Sequence, residues 1–188
     1  SIMSWAIVKN NQVIEILNSA KAVTISGIQY PSNIFNLWSK ADLKNIGIYP
    51  TQITSTIDEK THYGTGDVTY TINTDYVAVH YSKKPHNVAD LKTRLVKEVN
   101  HHANNILTPS DWMTTRQLEA GVTIADGWKT WRASVRTQAK AMKTAINAVT
   151  TITDVPGLYV TYASASDGTI TSVSSGHLWH WPKNPDEA

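Results

Sequence analysis

Residues 108–136 read TPSDWMTTRQLEAGVTIADGWKTWRASVR and carry more information about the fold than the rest of the chain. The stretch contains two helix starts, each with a candidate capping residue. Thr108 can cap the first helix, with Pro109 at a position where its missing N–H group is harmless. Thr123 can cap the second, with Asp126 as the reciprocal acid. The tryptophans lie where helices would meet, so the stretch predicts helix packing and not a catalytic centre.

Two amphipathic helices flank the short helix that starts at Thr108. Asn87 and Asp90 resemble a cap with its reciprocal acid, and apolar residues then recur every three or four positions. The short middle helix has only a modest apolar face. The last helix is predicted to run from Thr123 to Val149, about 40 Å at a rise of about 1.5 Å per residue. Its apolar stripe consists of Trp128, Trp131, Val135, Met142, Ile146 and Val149.

The first 84 residues are predicted to be rich in β-hairpins. Strands at 5–8 and 13–17 flank asparagines that tolerate positive φ, which is typical of a tight hairpin turn. A second hairpin is predicted to pair 68–72 with 76–81, and alternating apolar and polar residues there indicate one buried face.

Glycine and serine positions predict the local breaks in this region. Ser39, with Asp42 three residues later, is typical of a helix start, and that helix is predicted to end at Gly47. The glycine pattern at 64–67 is too short to hold a phosphate group and is interpreted as a turn.

The chain returns to β character after residue 155. Strands are predicted at 158–162 and 169–173 around a turn at 166–168. Trp179 and Trp181 then lie in an aromatic tail. Indoles left in water would form an exposed apolar patch, so the tail is expected to dock on its own helices or on a neighbouring protein.

These patterns predict an α+β protein in three parts: a β-hairpin-rich attachment region at 1–84, a three-helix module with one long amphipathic helix at 85–150, and a short β and aromatic C-terminal tail at 151–188.

Composition narrows the class of protein. The net charge is +2 with 17% charged residues, and the pI of about 8.7 is below that of most nucleic-acid-binding domains, so no nucleic-acid partner is expected. The chain has no cysteine, which removes disulfides and thiolate metal sites. No run approaches the roughly 20 apolar residues of a membrane helix, and neither a membrane partner nor a signal peptide is expected.

Candidate catalytic and metal-binding residues have simpler structural explanations. His177 and His180 are three apart and His101 and His102 are adjacent, but no metal-binding motif surrounds them. His101 and His102 are expected to flank the helix stripe, one half-buried and one exposed. Aspartates beside tryptophans occupy helix starts, and no nucleophile elbow occurs. The sequence therefore predicts no enzyme, no catalytic residue, no cofactor and no metal.

The tryptophans and arginines of the helical region are predicted to act in packing and interaction. Trp112, Trp128 and Trp131 are expected to fill a junction of three helices, where replacement by Ala would cost roughly 3 to 5 kcal/mol. Arg132 and Arg136 are expected to pair with Asp111 or Glu119 across the junction. With Lys129, Lys140 and Lys143 they are expected to form a basic outer face that is solvated, with contact to an acidic partner as the alternative.

A different class of function remains open for the strand region. Tyr70, Tyr76 and Tyr81 could stack on sugar rings, although they more simply pack across strands. A glycan-binding or glycan-cleaving receptor site there would require paired carboxylates in the same cleft.

The segment 92–136 resembles the C-terminal module of tail proteins from tailed bacteriophages. In it, a helix ends before Ser110-Asp111-Trp112-Met113, Arg116 and a glycine-containing spacer follow, and the last part is WKTWRASVR at 128–136. Tail fibre assembly proteins of such phages carry a similar pattern, S/T-D-W followed by W-x-x-Y/W-R-x-x-[VL]-R. The hairpin at 5–17 and the passage at 38–49 also look like small proteins encoded near phage tail genes.

The resemblance implies a non-enzymatic component of a bacteriophage tail. Such a protein acts on other tail or fibre proteins, either as a virion part or as a transient chaperone of fibre assembly, and a homo-oligomer is a further option. Its expected location is the virion tail, after assembly in the host cytoplasm. Trp131 replaces the commoner Tyr, and the chain continues well past the phage-like pattern. That extension favours a part that stays in the particle, because extra strands and indoles would supply docking surface.

Overall fold

The computed structural model describes residues 4–173 and 178–187, which form an α+β protein. No helix within those ranges is long and apolar enough to cross a membrane. The chain divides into two compact units. The first consists of Ser1–Asp58 and His62–Lys84, and the second of Glu59–Thr61 and Pro85–Ala188. Each unit has its own cluster of buried apolar side chains, and the segment after residue 150 belongs to the second unit.

A five-stranded mixed sheet organises the first unit. In chain order its strands are β1 (Trp5–Lys9), β2 (Gln12–Leu17), β5 (Ile48–Ile53), β6 (His62–Ile72) and β7 (Val77–Pro85). Their order across the sheet is β2-β1-β5-β7-β6, with β1 antiparallel to β2 and β5, and β5 parallel to β7. Four short elements connect β2 to β5: the paired strands β3 (Val23–Ile25) and β4 (Ile28–Tyr30), and the helices α1 (Ile34–Leu37) and α2 (Lys40–Asn45).

The two predicted hairpins are present. Asn10 and Asn11 have φ of 51° and 60° in the turn between β1 and β2, which confirms the role predicted for them. β6 and β7 are neighbours, and in the connection between them the Asn73 N–H donates to the Tyr76 carbonyl at 2.9 Å.

The predicted start of α2 and the role of Gly47 are also confirmed. The Ser39 side chain accepts a hydrogen bond from the Asp42 N–H at 3.1 Å. Gly47 has φ of 90°, and the Val8 N–H donates to its carbonyl at 2.7 Å. A Cβ at Gly47 would lie 2.6 Å from the Val8 carbonyl oxygen. Glycine is therefore required by both the backbone conformation and the close approach of β1.

The turn predicted at 64–67 is wrong, because these residues lie inside strand β6. Gly66 has φ of 87°, and a single glycine in this conformation can be absorbed within a strand as a local distortion.

The core of the first unit lies under β1, β2 and β5. The centroids of the Trp5 and Phe35 rings are 4.7 Å apart, so Phe35 of α1 packs against the sheet in this core. Its buried apolar residues are Trp5, Ile7, Leu17, Val23, Ile34, Phe35, Leu43 and Ile48.

Two long helices form the framework of the second unit: α3 (Val88–Leu107) and α5 (Asp126–Asn147). Asn87 caps α3 as predicted, because its side chain accepts from the Asp90 N–H at 3.0 Å. The apolar stripes of α3 and α5 pack against each other, since each helix alone would leave its stripe in water. The buried cluster consists of Leu91, Leu95, Val99, Ala139, Met142, Ile146, Val149, Val155, Leu158 and Leu178.

The capping roles predicted for Thr108 and Thr123 are wrong. Thr108 has helical backbone angles, and its hydroxyl donates back to the Asn104 carbonyl at 2.7 Å. The chain therefore passes from α3 through a 3₁₀ turn (Thr108–Ser110) into α4 (Asp111–Ala120) without an extended capping residue. The last helix begins at Asp126 after Ala125, with no side-chain cap, and ends two residues before the predicted Val149.

Helix α4 differs from the predicted third packed helix, because none of its ten residues is buried. The apolar face of α4 is too small for it to replace α3 or α5 in the contact between their apolar stripes. Gly121 does end α4 as predicted, with φ of 66° and its N–H donating to the Gln117 carbonyl at 3.0 Å.

The chain after α5 covers the open side of the α3–α5 pair. Two 3₁₀ turns (Ile152–Asp154 and Pro156–Leu158) precede the paired strands β8 (Tyr162–Ser164) and β9 (Ile170–Val173). The strand predicted at 158–162 is therefore largely absent, because its first residue, Leu158, lies in the second 3₁₀ turn, where its N–H donates to the Val155 carbonyl, and its side chain packs in the core.

Candidate interaction site

A cavity of about 610 Å³ in the second unit is the candidate site. Its walls come from the end of α3, the 3₁₀ turn, the starts of α4 and α5, and the C-terminal tail. Four of the seven tryptophans line it: Trp112, Trp128, Trp131 and Trp181. The stretch 108–136 thus supplies three indoles to this cavity, and the C-terminal segment supplies the fourth.

Trp131 is the best-fixed of these indoles. Its side chain is 7% exposed, and its Nε1–H donates to the Pro182 carbonyl at 2.9 Å. The Trp128 ring stands edge-on to it, with centroids 5.6 Å apart and an angle of 86° between the planes. The two indoles therefore form two nearly perpendicular walls.

The prediction that three indoles fill a helix junction is correct only for Trp131. Trp112 is 55% exposed and Trp128 is half-buried. Both rings border the cavity because α4 does not pack as a third helix across the end of α3 and the start of α5.

Arg132 connects three segments around the cavity. Its guanidinium donates from Nη1 to the Leu107 carbonyl at 3.0 Å and to Ser110 Oγ at 2.6 Å, and from Nη2 to Asp111 Oδ1 at 2.8 Å. The predicted pair of Arg132 and Asp111 is confirmed. The prediction that Arg132 lies on a solvated face is wrong, because its side chain is buried and satisfies the carbonyl at the end of α3.

Arg136 does not share this role. It is exposed, and among the described residues it forms no ion pair with Asp111 or Glu119, so the predicted pairing is wrong for this residue. One further turn along α5 carries the side chain past the junction. Lys129 and Lys140 are exposed as predicted, whereas Lys143 donates to Asn100 Oδ1 at 3.0 Å.

The aromatic tail docks on the helices of its own chain. Leu178 is fully buried, and the Leu178 N–H donates to the Leu158 carbonyl at 2.8 Å. The Trp179 ring lies 4.3 Å from that of His102 between centroids. Trp181 packs on the core and contributes to the cavity, and its Nε1–H is buried with no acceptor among the described residues.

Two carboxylates at the end of the tail also line the cavity, and sequence inspection missed them. Asn184 orders this segment: its Oδ1 accepts from the N–H groups of Asp186 at 2.9 Å and Glu187 at 3.0 Å. The signal for this turn was present as an Asn followed by Pro and two acids. Nothing local indicated that the turn would lie beside Trp128.

The histidines do not converge. Within residues 4–173 and 178–187 no three His, Asp or Glu side chains are grouped in a way that could hold a metal ion, and His177 lies outside those residues. His101 is exposed and hydrogen-bonds Asn105, and His102 is half-buried, as predicted for this pair. His180 Nδ1 lies 3.1 Å from the Tyr162 hydroxyl.

The strand tyrosines lie in the other unit. Tyr70 belongs to β6 and Tyr81 to β7, and both are exposed, whereas Tyr76 lies before β7 and is half-buried. A glycan site at these residues stays a prediction.

No protein-family model, no curated protein and no solved structure matches this chain. Its functional interpretation therefore depends on the fold of the second unit and on the residues around the cavity.

Proposed function

We propose that this chain is a non-enzymatic interaction component of a bacteriophage tail, acting through protein–protein contacts in virion assembly or fibre attachment. The observation that carries the proposal is helix α4, which lies in the phage-like stretch and has no buried residue. A helix of ten residues is marginal in water when nothing covers it. A surface on another protein would supply the missing cover.

The side chains presented by and after α4 support a contact role. Leu118 is 80% exposed, Trp112 55% and Val122 38%. Exposed aromatic side chains such as Trp112 are common anchors at protein interfaces, and apolar contacts around an anchor help to exclude water.

Both ends of α4 are held in place by polar contacts. Arg132 binds Ser110 and Asp111 at its start. After its end, the Ile124 N–H donates to Gln117 Oε1 at 3.2 Å. The helix is thus presented in a fixed position, which lowers the ordering cost of binding.

The proposed partner is another tail or fibre protein, and a second copy of this chain would satisfy the same surface. The proposed location is the virion tail, with assembly in the host cytoplasm. This assignment comes from the resemblance of 92–136 to tail proteins.

A phage carrying substitutions in this chain tests the proposal. Leu118→Glu places a charge on α4 without touching the core, and Leu37→Glu is the matched control, because Leu37 is 74% exposed in the first unit. Particles are purified and immunoblotted for the chain, and infectivity is measured. We expect the chain in particles at stoichiometric copy number, with loss of incorporation for Leu118→Glu alone. Equal incorporation of both variants would reject α4 as the contact.

A transient fibre assembly chaperone is the second candidate, and the docked tail favours it. The extension beyond the phage-like pattern argued for a virion part because its indoles would supply docking surface. Trp179 and Trp181 instead pack on the helices of the same chain. Absence of the chain from finished particles, combined with fibre defects after its deletion, would support the chaperone; absence without such defects would reject both proposals.

A further inference from the structure

We propose that the tryptophan-lined cavity binds a small organic cation of the methylated-ammonium class. The proposal is independent of the proposed role in a bacteriophage tail. It depends on Trp128, Trp131 and the carboxylates of Asp186 and Glu187, and not on the exposed side of α4. Quaternary ammonium groups are recognised in proteins by aromatic side chains that surround the cation with their electron-rich faces.

The indole geometry fits a compact cation better than a flat ring. Trp128 and Trp131 meet at 86°, so their faces point in different directions around a corner. A rounded trimethylammonium group can contact walls on several sides, whereas a sugar ring stacks best on one broad face. The hydrogen bond from Trp131 to Pro182 holds one wall in place before any ligand arrives.

The charge of the lining complements a cation. Asp186 and Glu187 line the cavity, and its lining contains no Lys, Arg or His. Among the described residues neither carboxylate has a basic partner. The buried Arg132, which donates to Ser110 in the cavity lining, is already paired with Asp111.

The cavity is also large enough for such a ligand. Its volume of about 610 Å³ lies within the range of small-molecule sites, roughly 300 to 1,000 Å³. A choline-sized cation would occupy only part of this space, leaving room for a substituent on the side opposite the ammonium group.

Indole N–H resonances report directly on this site. We would titrate ¹⁵N-labelled full chain with choline, and in parallel with 3,3-dimethylbutan-1-ol, its neutral isostere, at matched ionic strength. Saturable shifts are expected at Trp128 and Trp131, while Trp5 and Trp38 in the first unit stay unchanged. Choline should bind about tenfold or more tightly than the alcohol, because only the cation gains from the ring faces and the carboxylates.

Two sets of variants distinguish the contribution of the indole rings to binding from that of the carboxylates. Trp128→Ala should abolish saturable binding, with Trp38→Ala as the control indole. The double variant Asp186→Asn with Glu187→Gln keeps the fold, because both side chains are exposed, and should weaken choline binding severalfold while leaving the alcohol unchanged.

Three results would overturn the proposal. Equal affinities for choline and the alcohol would show an apolar cavity without cation selectivity. Linear shifts without saturation would show no site at all. Saturable binding of a neutral monosaccharide in preference to choline would identify a glycan site instead.

Discussion

The Arg132 side chain on α5 bonds the end of α3, the 3₁₀ turn and the start of α4. From the sequence pattern it was expected to face solvent. It follows Trp128 by four residues and precedes Val135 by three, so it lies on the buried side of α5. The charge suggested an exposed residue, because unpaired arginines are almost never buried. Its pairing with Asp111 was predictable from the sequence, whereas the carbonyl of Leu107 as a partner was not.

Loss of Arg132 should destabilise the second unit. Arg132→Met is expected to cost about 2 to 3 kcal/mol, because the Leu107 carbonyl and the buried Ser110 hydroxyl lose a charged donor. The pair with the exposed Asp111 adds little to this. Arg136→Met is the matched control and should stay within about 0.5 kcal/mol of the wild type. Urea denaturation measures both, and equal costs would contradict the assigned role.

Trp131 and Trp181 allow a comparison of paired and unpaired indole N–H groups. Each is changed to Phe, which removes the N–H and a similar part of the ring. Trp131→Phe also leaves the Pro182 carbonyl without its donor, whereas Trp181→Phe removes a buried donor that has no acceptor among the described residues. Trp131→Phe should therefore cost about 1 to 2 kcal/mol more in the free energy of unfolding. The opposite order would disprove this account.

At the scale of elements, capping residues could be predicted only where the backbone before the helix is extended. Ser39 and Asn87 have extended backbones and cap α2 and α3. Thr108 and Thr123 have the right chemistry but the wrong surroundings, since the chain stays helical at the first and the helix begins later than the second. A capping side chain cannot impose the extended conformation against a continuous helical path.

The 3₁₀ turn at Ile152–Asp154 has a pH-dependent cap. The Thr151 hydroxyl, and then its N–H, donate to the Asp154 carboxylate and hold its pKa below the ordinary value of 3.8. Because the pKa of Asp154 is lower in the folded than in the unfolded protein, its carboxylate stabilises the fold at pH values above the unfolded-state pKa. This stabilisation is lost as the pH falls through the folded-state pKa. Asp154→Asn should therefore lower the melting temperature at neutral pH, with an effect that becomes smaller as the pH falls below the ordinary pKa of 3.8. A difference that persists in acid would contradict the charge-based explanation.

At the scale of the whole molecule, the described residues form one buried cluster in each unit, and the segment around Leu178 completes the cluster of the second unit. Leu178→Ala should cost about 2 to 5 kcal/mol and reduce amide protection in α3 and α5, because Leu178 is 1% exposed in that cluster. Ile48→Ala is the matched variant for the first unit and should reduce protection in the sheet. Hydrogen exchange followed by NMR distinguishes the two patterns. Uniform loss in both variants would contradict separate clusters.

Periodicity predicted the long helices and the hairpins, because each depends on residues a few positions apart. It did not predict the cavity, whose walls join Trp128 to Trp181 and to acids at the end of the tail. Such contacts are set by tertiary packing and leave no local trace. The weak apolar face of α4 was visible in the sequence, but its consequence, a helix outside the packed pair, was not.

The burial of Leu178 also bears on the order of events during synthesis. Its neighbours in the cluster, such as Leu95 and Val99, leave the ribosome much earlier, and the side of the α3–α5 pair that Leu178 covers stays open until Leu178 itself has been translated. We expect the sheet of the first unit to be complete on a nascent chain while the second unit still lacks the segment around Leu178. A protein built this way exposes apolar surface for the longest time in its helical unit.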